Sequence, residues 1–185
     1  SVVGNLPSLS SADADAVRRA VRYLYDLGHR QIARVGGPES LAHSYIRDSA
    51  FADVASELGM RYRCLHTDYT PETGREATKR LLAFSEHPTA IIYDNDVMAL
   101  AGLGVAASQG IKVPEEISIM SWDDSLMCTA AYPNLTAMGR DVVDTGKQAA
   151  GLLLKLIGGE RVGHLMEGPY ELRARASTGP APAAE

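Results

Sequence analysis

Polar side chains follow each of four short apolar segments that we predict to be strands. The segments lie at 31–35, 61–66, 89–93 and 116–122. The polar residues just after them, or one turn into the following helix, are Arg47, Asp68, Tyr69, Asp94, Asn95, Asp96, Asp123 and Asp124. In an open parallel sheet, ligands bind outside the carboxyl ends of the strands. We therefore expect a cation, an aromatic ring, an amide and several carboxylates to meet at one edge of the sheet.

This set of groups suits a small polyhydroxylated ligand. Carboxylates and amides exchange hydrogen bonds with hydroxyls, arginine offers a forked donor, and an aromatic ring provides an apolar platform. Each residue alone also has a structural interpretation. Asp94 or Asn95 can cap a helix, and Asp124 can satisfy loop amides. Arg47 can lie on the surface. The coincidence of all of them at one edge favours a binding site.

The same carboxylates allow a competing chemistry, a magnesium site in a metal-dependent enzyme. Its ligands would be Asp94, Asp96, Asp123 and Asp124. No phosphate-binding loop accompanies them, because residues 36–40 lack both the GxGxxG pattern and the Walker lysine. The sequence also has no GxSxG motif for a nucleophile. We therefore expect no catalytic residue, no metal and no cofactor, and we keep an enzyme as an alternative.

Composition narrows the class of protein further. The 185 residues are 45% hydrophobic, which is enough for a substantial core, and the net charge is -5. An acidic chain is poorly suited to hold DNA by itself. Cys64 and Cys128 lack the spacing of a zinc site, and we interpret them as ordinary half-buried thiols. The sequence opens in mid-strand with no initiating Met, so we expect a piece of a longer protein.

Helical patterns alternate with the apolar segments, which predicts an α/β fold with a parallel sheet. The predicted helices lie at 12–27, 43–58, 71–84 and 95–108. After Trp122 we expect a long loop at 123–134, a crossing strand at 135–138 and an amphipathic helix at 141–157. A strand pair or hairpin is expected within 164–175. The small, proline-rich tail is expected to be disordered.

Four consecutive stretches resemble the lactose-repressor (LacI/GalR) family of bacterial transcription regulators. LGHRQIA (27–33), with the GGPES that follows, resembles the family's LGHRxIAxIGGP. DYTPETGREATKRLL (68–82) resembles GDFTEESGYxAxxxLL, and HPTAIIYDNDVMALAGL (87–103) resembles RPTAIFAxNDxMAxGAL. The stretch at 110–138, which contains VPEEISIMSWDD, resembles GLxVPEDVSVVGFDD. The likeness runs in order from about residue 10 to residue 178.

The resemblance implies a Rossmann-like lobe of a type I periplasmic-binding-protein-like fold, with elements of a second lobe. Residues 1–9 would end the N-terminal lobe, and 10–134 would form the C-terminal lobe. The chain would return to the N-terminal lobe over 135–160 and to the C-terminal lobe over 161–178. Residues 179–185 would be the disordered tail.

The resemblance also implies effector-binding residues. Arg47 matches the family arginine that hydrogen-bonds the ligand, Tyr69 matches the aromatic that stacks on it, and Asn95 matches the Asn of the ND pair. Asp123 matches the first Asp of FDD, which binds ligand hydroxyls. Arg140 stands where the family has Gln. Two further departures are Ser121-Trp122 in place of GF, and Ala16 or Val17 in place of a small Gly.

The function implied is effector sensing for a LacI-type regulator, with a small sugar-like ligand bound between two lobes. Operator DNA would be held by a headpiece outside this chain, and the protein would be a cytoplasmic homodimer. The alternative is a periplasmic solute-binding protein of a sugar transporter. The LGHRQIA and VPEEISIMSWDD stretches resemble the regulator branch more.

The charge of the ligand has two interpretations at this point. Arg47 and Arg140 facing one cleft would repel each other, and an anionic sugar acid or sugar phosphate would relieve that repulsion. Alternatively, Arg140 pairs with Asp141, Asp144 or an acid of the other lobe, and the ligand is a neutral sugar.

Overall fold

The computed structural model describes residues 8–183, which form a mostly parallel α/β fold. In chain order the elements are β1 (Ser8–Ser10), α1 (Asp13–Asp26), β2 (Gln31–Gly36), α2 (Ala42–Glu57), β3 (Arg61–His66), α3 (Pro71–Leu82), β4 (Ala90–Tyr93), α4 (Asp96–Ser108), β5 (Ser118–Trp122), α5 (Leu126–Ala130), β6 (Thr136–Gly139), α6 (Val142–Ile157), β7 (His164–Met166) and β8 (Glu171–Arg173).

Six strands form the central sheet, in the order β3-β2-β4-β5-β6-β8. The first five are parallel, and β8 is antiparallel to β6. Helices α1 and α2 pack on one face, and α3 and α4 on the other, each with its own hydrophobic core. A sheet covered on both faces buries its central strands fully, and every residue of β4 and β5 is buried. The predicted fold class is confirmed.

Local signals in the sequence fix the starts of two helices beside the site. The Thr70 side chain accepts a hydrogen bond from the Thr73 amide, and Pro71 occupies the first turn of α3. Asn95 caps α4 by accepting from the Met98 amide at 2.8 Å. Asp94, the other candidate cap, does not serve this role.

Three expectations about the region after Trp122 are corrected. The segment 123–134 is not loop throughout, since it contains the short helix α5. The expected return of the chain to the N-terminal lobe at residue 135 is placed too early, because β6 pairs with β5 inside the central sheet. The strands β7 and β8 do not form a hairpin, because β7 pairs in parallel with β1 in a separate two-stranded sheet. Of the predicted segment 1–9, residues 1–7 lie outside the described residues.

The tail is also corrected, because residues 177–183 pack against the central sheet. The Ile119 amide donates to the Ser177 carbonyl at 2.8 Å, and the Ala181 amide donates to the Leu27 carbonyl at 2.8 Å. The Gly179 carbonyl accepts from the buried His29 ring. Backbone hydrogen bonds hold this segment in place, so the composition of its side chains does not predict that it is ordered. The last two residues lie outside the described part of the chain.

The long helix α6 lies largely outside the central core. Leu152 is the one buried residue of α6, whereas Leu154 and Ile157 are 69% and 75% exposed. None of the helices within residues 8–183 is long and apolar enough to cross a membrane.

Candidate functional site

A cavity of about 550 Å³ opens at the carboxyl ends of the central strands. Its walls come from the central sheet and from the segments that connect this sheet to β1 and β7. The lining residues are Leu9, Ser10, Ser11, Asp13, Ala42, His43, Ile46, Arg47, Tyr69, Asp94, Asn95, Asp123, Arg140, Glu167 and Tyr170. All five predicted site residues are therefore brought together in one cavity.

Arg47 lies at the floor of the cavity, and it is buried rather than on the surface. Its Nε donates to Asp13 at 2.7 Å, and its Nη1 lies 3.5 Å from Asp94. The guanidinium carbon sits 4.4 Å from the centroid of the Trp122 ring, a cation–π contact. Burial would raise the pKa of Asp13, but Arg47 and the Ser11 hydroxyl more than offset it, so the pKa of Asp13 is lowered. Arg47 and Asp13 thus face each other as a charged pair.

A chain of ionic contacts continues beneath the floor. Arg34 is fully buried in β2. It donates hydrogen bonds to both carboxylate oxygens of Asp94 and also to Asp48. The other oxygen of Asp48 lies 2.9 Å from His66 Nε2. A buried carboxylate is tolerated only when it is paired and hydrogen-bonded. The arginines thus account for the presence of Asp94 in the core.

Tyr69 forms one wall of the cavity through an unusual backbone conformation, with φ of 69°. Its hydroxyl lies 2.7 Å from His43 Nε2, and its ring lies against the backbone of Gly37. A Cβ at Gly37 would stand 1.9 Å from the Tyr69 ring, so glycine is required there. The Asn95 amide donates to the Tyr69 carbonyl at 3.1 Å. Asn95 therefore holds this wall in place as well as capping α4.

Asp123 is exposed to the cavity and also has a left-handed backbone, with φ of 67°. Within residues 8–183, no group hydrogen-bonds its carboxylate, and its backbone carbonyl is the atom that accepts from Ser121 and Cys128. Partial burial raises the pKa of Asp123, although Arg47 and Arg140 act in the opposite direction. The free carboxylate is the clearest acceptor in the cavity.

Arg140 comes from the segment that leaves β6, and it is paired. Its Nη1 contacts the Glu167 carboxylate, and its guanidinium carbon lies 5.6 Å from the centroid of the Tyr170 ring. Neither Asp141 nor Asp144 takes this role, since Asp141 caps α6 by accepting from the Asp144 amide. Of the partners predicted from the sequence, Asp141 and Asp144 are therefore not observed, and the acid that pairs with Arg140 is Glu167, directly after β7.

Comparison with known proteins decides the family. Residues 21–178 match the model of periplasmic binding protein-like domains. The transcriptional repressor CytR of Escherichia coli K12 is 34% identical over 179 residues, which are 94% of this chain and 52% of CytR. The chain belongs to the LacI/GalR family. It spans about half the length of the curated relatives it matches.

Two solved LacI-family structures share the fold. The regulator from Bifidobacterium animalis subsp. lactis is 61% identical, with a TM-score of 0.92 over 95% of this chain and 65% of that one. The regulator from Arthrobacter sp. FB24, solved in complex with lactose, is 26% identical, with a TM-score of 0.83 over 92% and 65%.

The structure shows how the residues at two departures from the LacI/GalR pattern are packed. Trp122, in place of the family Phe, packs its ring between Arg47 and Tyr170, with 5.1 Å between the Trp122 and Tyr170 centroids. Ala16 and Val17, where the family has a small Gly, are both fully buried in α1.

The carboxylates of the magnesium alternative do not converge. Asp94 is held by Arg34, and Asp124 is held by Arg173 and Arg175 at 2.6–2.8 Å, which lowers its pKa. Among the described residues no group of three or more His, Cys, Asp or Glu side chains is arranged to hold a metal. The thiols are not activated either, since burial raises the pKa of Cys64 to about 12 and also raises that of Cys128.

Among the lining residues that the sequence did not predict are Asp13, Glu167 and Tyr170. Asp13 is the first residue of α1, where an acid is favourable for the helix alone and so gives no sign of a site. Glu167 and Tyr170 lie in the segment between β7 and β8, which matches no ligand-binding motif.

Proposed function

We propose that this chain is the effector-sensing domain of a LacI-type transcriptional regulator, and that its cavity binds a small polar, sugar-like molecule. The observation that carries the proposal is the carboxylate of Asp123, which is unpaired within the described part of the chain and exposed in a cavity also lined by Arg47 and Tyr69. Paired hydroxyls of a sugar would donate to Asp123, and the Tyr69 ring would cover an apolar sugar face.

Arg47 would supply the opposite hydrogen-bonding character. A guanidinium has five N–H donors. Within residues 8–183, the Nε and Nη1 of Arg47 are the atoms that face acids, namely Asp13 and Asp94. The remaining donors are available to ligand oxygens. The lactose complex of the Arthrobacter regulator supports a sugar as the ligand class.

Ligand binding would be coupled to the arrangement of the two sheets. Arg47 and Asp123 belong to the central sheet and the elements around it, whereas Ser10 lies in β1 and Glu167 directly follows β7. A ligand that contacts both groups favours one relative position of the two sheets. Such a difference in affinity between positions is what an allosteric effector requires.

The relatives favour a regulator over a transport protein or an enzyme, since CytR is a transcriptional repressor of the helix-turn-helix type. We further propose that a separate headpiece binds operator DNA, because a net charge of -5 is unsuited to phosphate contacts. A cytoplasmic location and a homodimer follow from that role.

A thermal-shift screen of the intact protein against sugars, sugar phosphates and nucleobases tests the proposal. A ligand at ~100 times its Kd stabilises the folded state by about 2.7 kcal/mol. A hit would be followed by calorimetry on wild type and on a variant of the cavity. If no member of the three classes shifts the melting temperature, the proposed function fails.

A further inference from the structure

The charges that line the cavity are unevenly matched. Four carboxylates and two guanidinium groups face it: Asp13, Asp94, Asp123, Glu167, Arg47 and Arg140. Each arginine already contacts an acid, and the carboxylate of Asp123 has no hydrogen-bond or salt-bridge partner among residues 8–183. The motive for an anionic ligand, two arginines repelling each other across a cleft, is therefore absent.

The two arginines differ in their own exposure and in the number of acids they contact. Arg47 is tied to acids that belong to the buried ionic chain beneath the floor. Arg140 lies in the wall, with 28% of its side chain exposed, and Glu167 is the only carboxylate within salt-bridge distance of it in the described part of the chain. Loss of Glu167 would leave a guanidinium free to bind an anion.

From this arrangement we infer that the cavity selects neutral sugars over anionic derivatives, and that Glu167 is the residue that determines this selectivity. The inference rests on the proposed function and adds the charge class of the ligand. An incoming phosphate or carboxylate would have to displace Glu167 from Arg140 and would meet the negative charge of Asp123. Discrimination through like charges of this kind is a common source of specificity.

Glu167→Gln is the variant that isolates this effect. The amide keeps the size of the side chain and removes the charge, so Arg140 becomes an unmatched cation in the wall. Forked donation from arginine to phosphate or carboxylate oxygens is strong and geometrically favourable. The variant is therefore expected to shift its preference from neutral sugars toward anions.

The experiment uses calorimetry on the intact protein with matched probes: ribose and ribose 5-phosphate, glucose and glucose 6-phosphate, glucose and glucuronate. Wild type is expected to bind a neutral member and to bind its anionic partner at least about tenfold more weakly. In Glu167→Gln the ratio of anion affinity to neutral affinity is expected to rise by about tenfold relative to wild type.

Two controls separate a local charge effect from a change of net charge or fold. Glu160→Gln removes a charge at an exposed position after α6, which does not line the cavity, and is expected to keep the wild-type preference. Adding Arg140→Gln to Glu167→Gln is expected to abolish the gained anion affinity. A preference of wild type for the anion, or an unchanged ratio in a folded Glu167→Gln variant, would overturn the inference alone. Binding of none of the probes would overturn the proposed function and this inference with it.

Discussion

Asp123 carries its carboxylate on a backbone conformation that few residue types adopt easily. Asn and Asp are the residues other than glycine that most readily accept a positive φ, and Asp123 has φ of 67°. The side chain makes no hydrogen bond within the described residues, so the fold does not depend on its charge. The residue is thus free to serve the ligand.

Asp123→Asn is expected to keep the melting temperature of wild type and to lower effector affinity by at least about tenfold, since it loses a charged acceptor. Asp123→Ala is expected to abolish the effector response while the protein stays folded. Circular dichroism and ligand titration would measure both quantities. Unchanged affinity in a folded variant would remove Asp123 from the site.

Gly37 controls the position of the Tyr69 ring. Because a Cβ at Gly37 would stand 1.9 Å from that ring, Gly37→Ala is expected to displace it from the cavity wall. Effector affinity is expected to fall by about tenfold, as for loss of an aromatic contact. Tyr69→Asn, which removes the ring and suits the positive φ, is expected to cost as much.

The double variant tests this cause. If the Gly37 substitution acts through Tyr69, adding Gly37→Ala to Tyr69→Asn lowers affinity no further. Additive losses measured by calorimetry would show that Gly37 acts by another route.

At the scale of elements, periodicity and capping residues predicted most of the fold. The run QIARV became β2, and Thr70-Pro71 marked the start of α3, because both signals are local. The helix α5 escaped prediction, since five residues are too few to show a period. The packed tail escaped because backbone hydrogen bonds hold it.

Site residues were predictable where they follow a strand, and not where their role depends on distant partners. Asp123 and Asn95 follow β5 and β4, so topology alone places them at one edge. The pairs Arg47–Asp13 and Arg140–Glu167 are 34 and 27 residues apart in sequence. No local sequence pattern predicts that these acids neutralise the arginines, because the partners are far apart in sequence.

His29 joins four elements at the opposite end of the sheet. Its ring nitrogens lie 2.9 Å from the Thr89 hydroxyl, 3.1 Å from that of Ser118 and 3.2 Å from the Gly179 carbonyl. Burial lowers the pKa of His29 below its ordinary value of 6.5, so the ring is neutral at pH 7 in the folded protein. His29→Ala is expected to destabilise the fold by about 2–4 kcal/mol, because buried polar groups lose their partners. Urea unfolding would measure this loss.

The same lowered pKa predicts a pH effect of defined sign. As pH falls through 6.5, His29 takes up a proton in the unfolded chain but not in the folded chain. The free energy of unfolding therefore decreases as pH falls, until the pKa of His29 in the folded state is reached. His29→Gln cannot titrate and is expected to lose less stability than wild type between pH 8 and a pH below 6.5. Melting curves at both pH values would compare them, and equal losses would contradict a neutral buried His29.

At the scale of the whole molecule, the cavity is built from two sheets that touch through a few segments. Arg47 binds Asp13, the first residue of α1, and Arg140 binds Glu167, which directly follows β7. The Arg140–Glu167 pair therefore connects the central sheet to the two-stranded sheet. A ligand that competes for Arg140 would alter that connection, and we propose that occupancy of the cavity reaches a DNA-binding headpiece in this way.

The intact protein is expected to be a two-fold dimer that binds a palindromic operator. Two-fold dimers of helix-turn-helix regulators read two half-sites about 34–36 Å, or one helical turn, apart. An effector that changes the position of two sheets within each subunit changes the spacing between two headpieces, and this geometric coupling has no counterpart in a monomer. Light scattering at micromolar concentration would give the mass, and footprinting on operator DNA would give the half-site spacing. A monomeric mass at these concentrations, or protection of a single half-site, would contradict the dimer and with it this route from cavity to DNA.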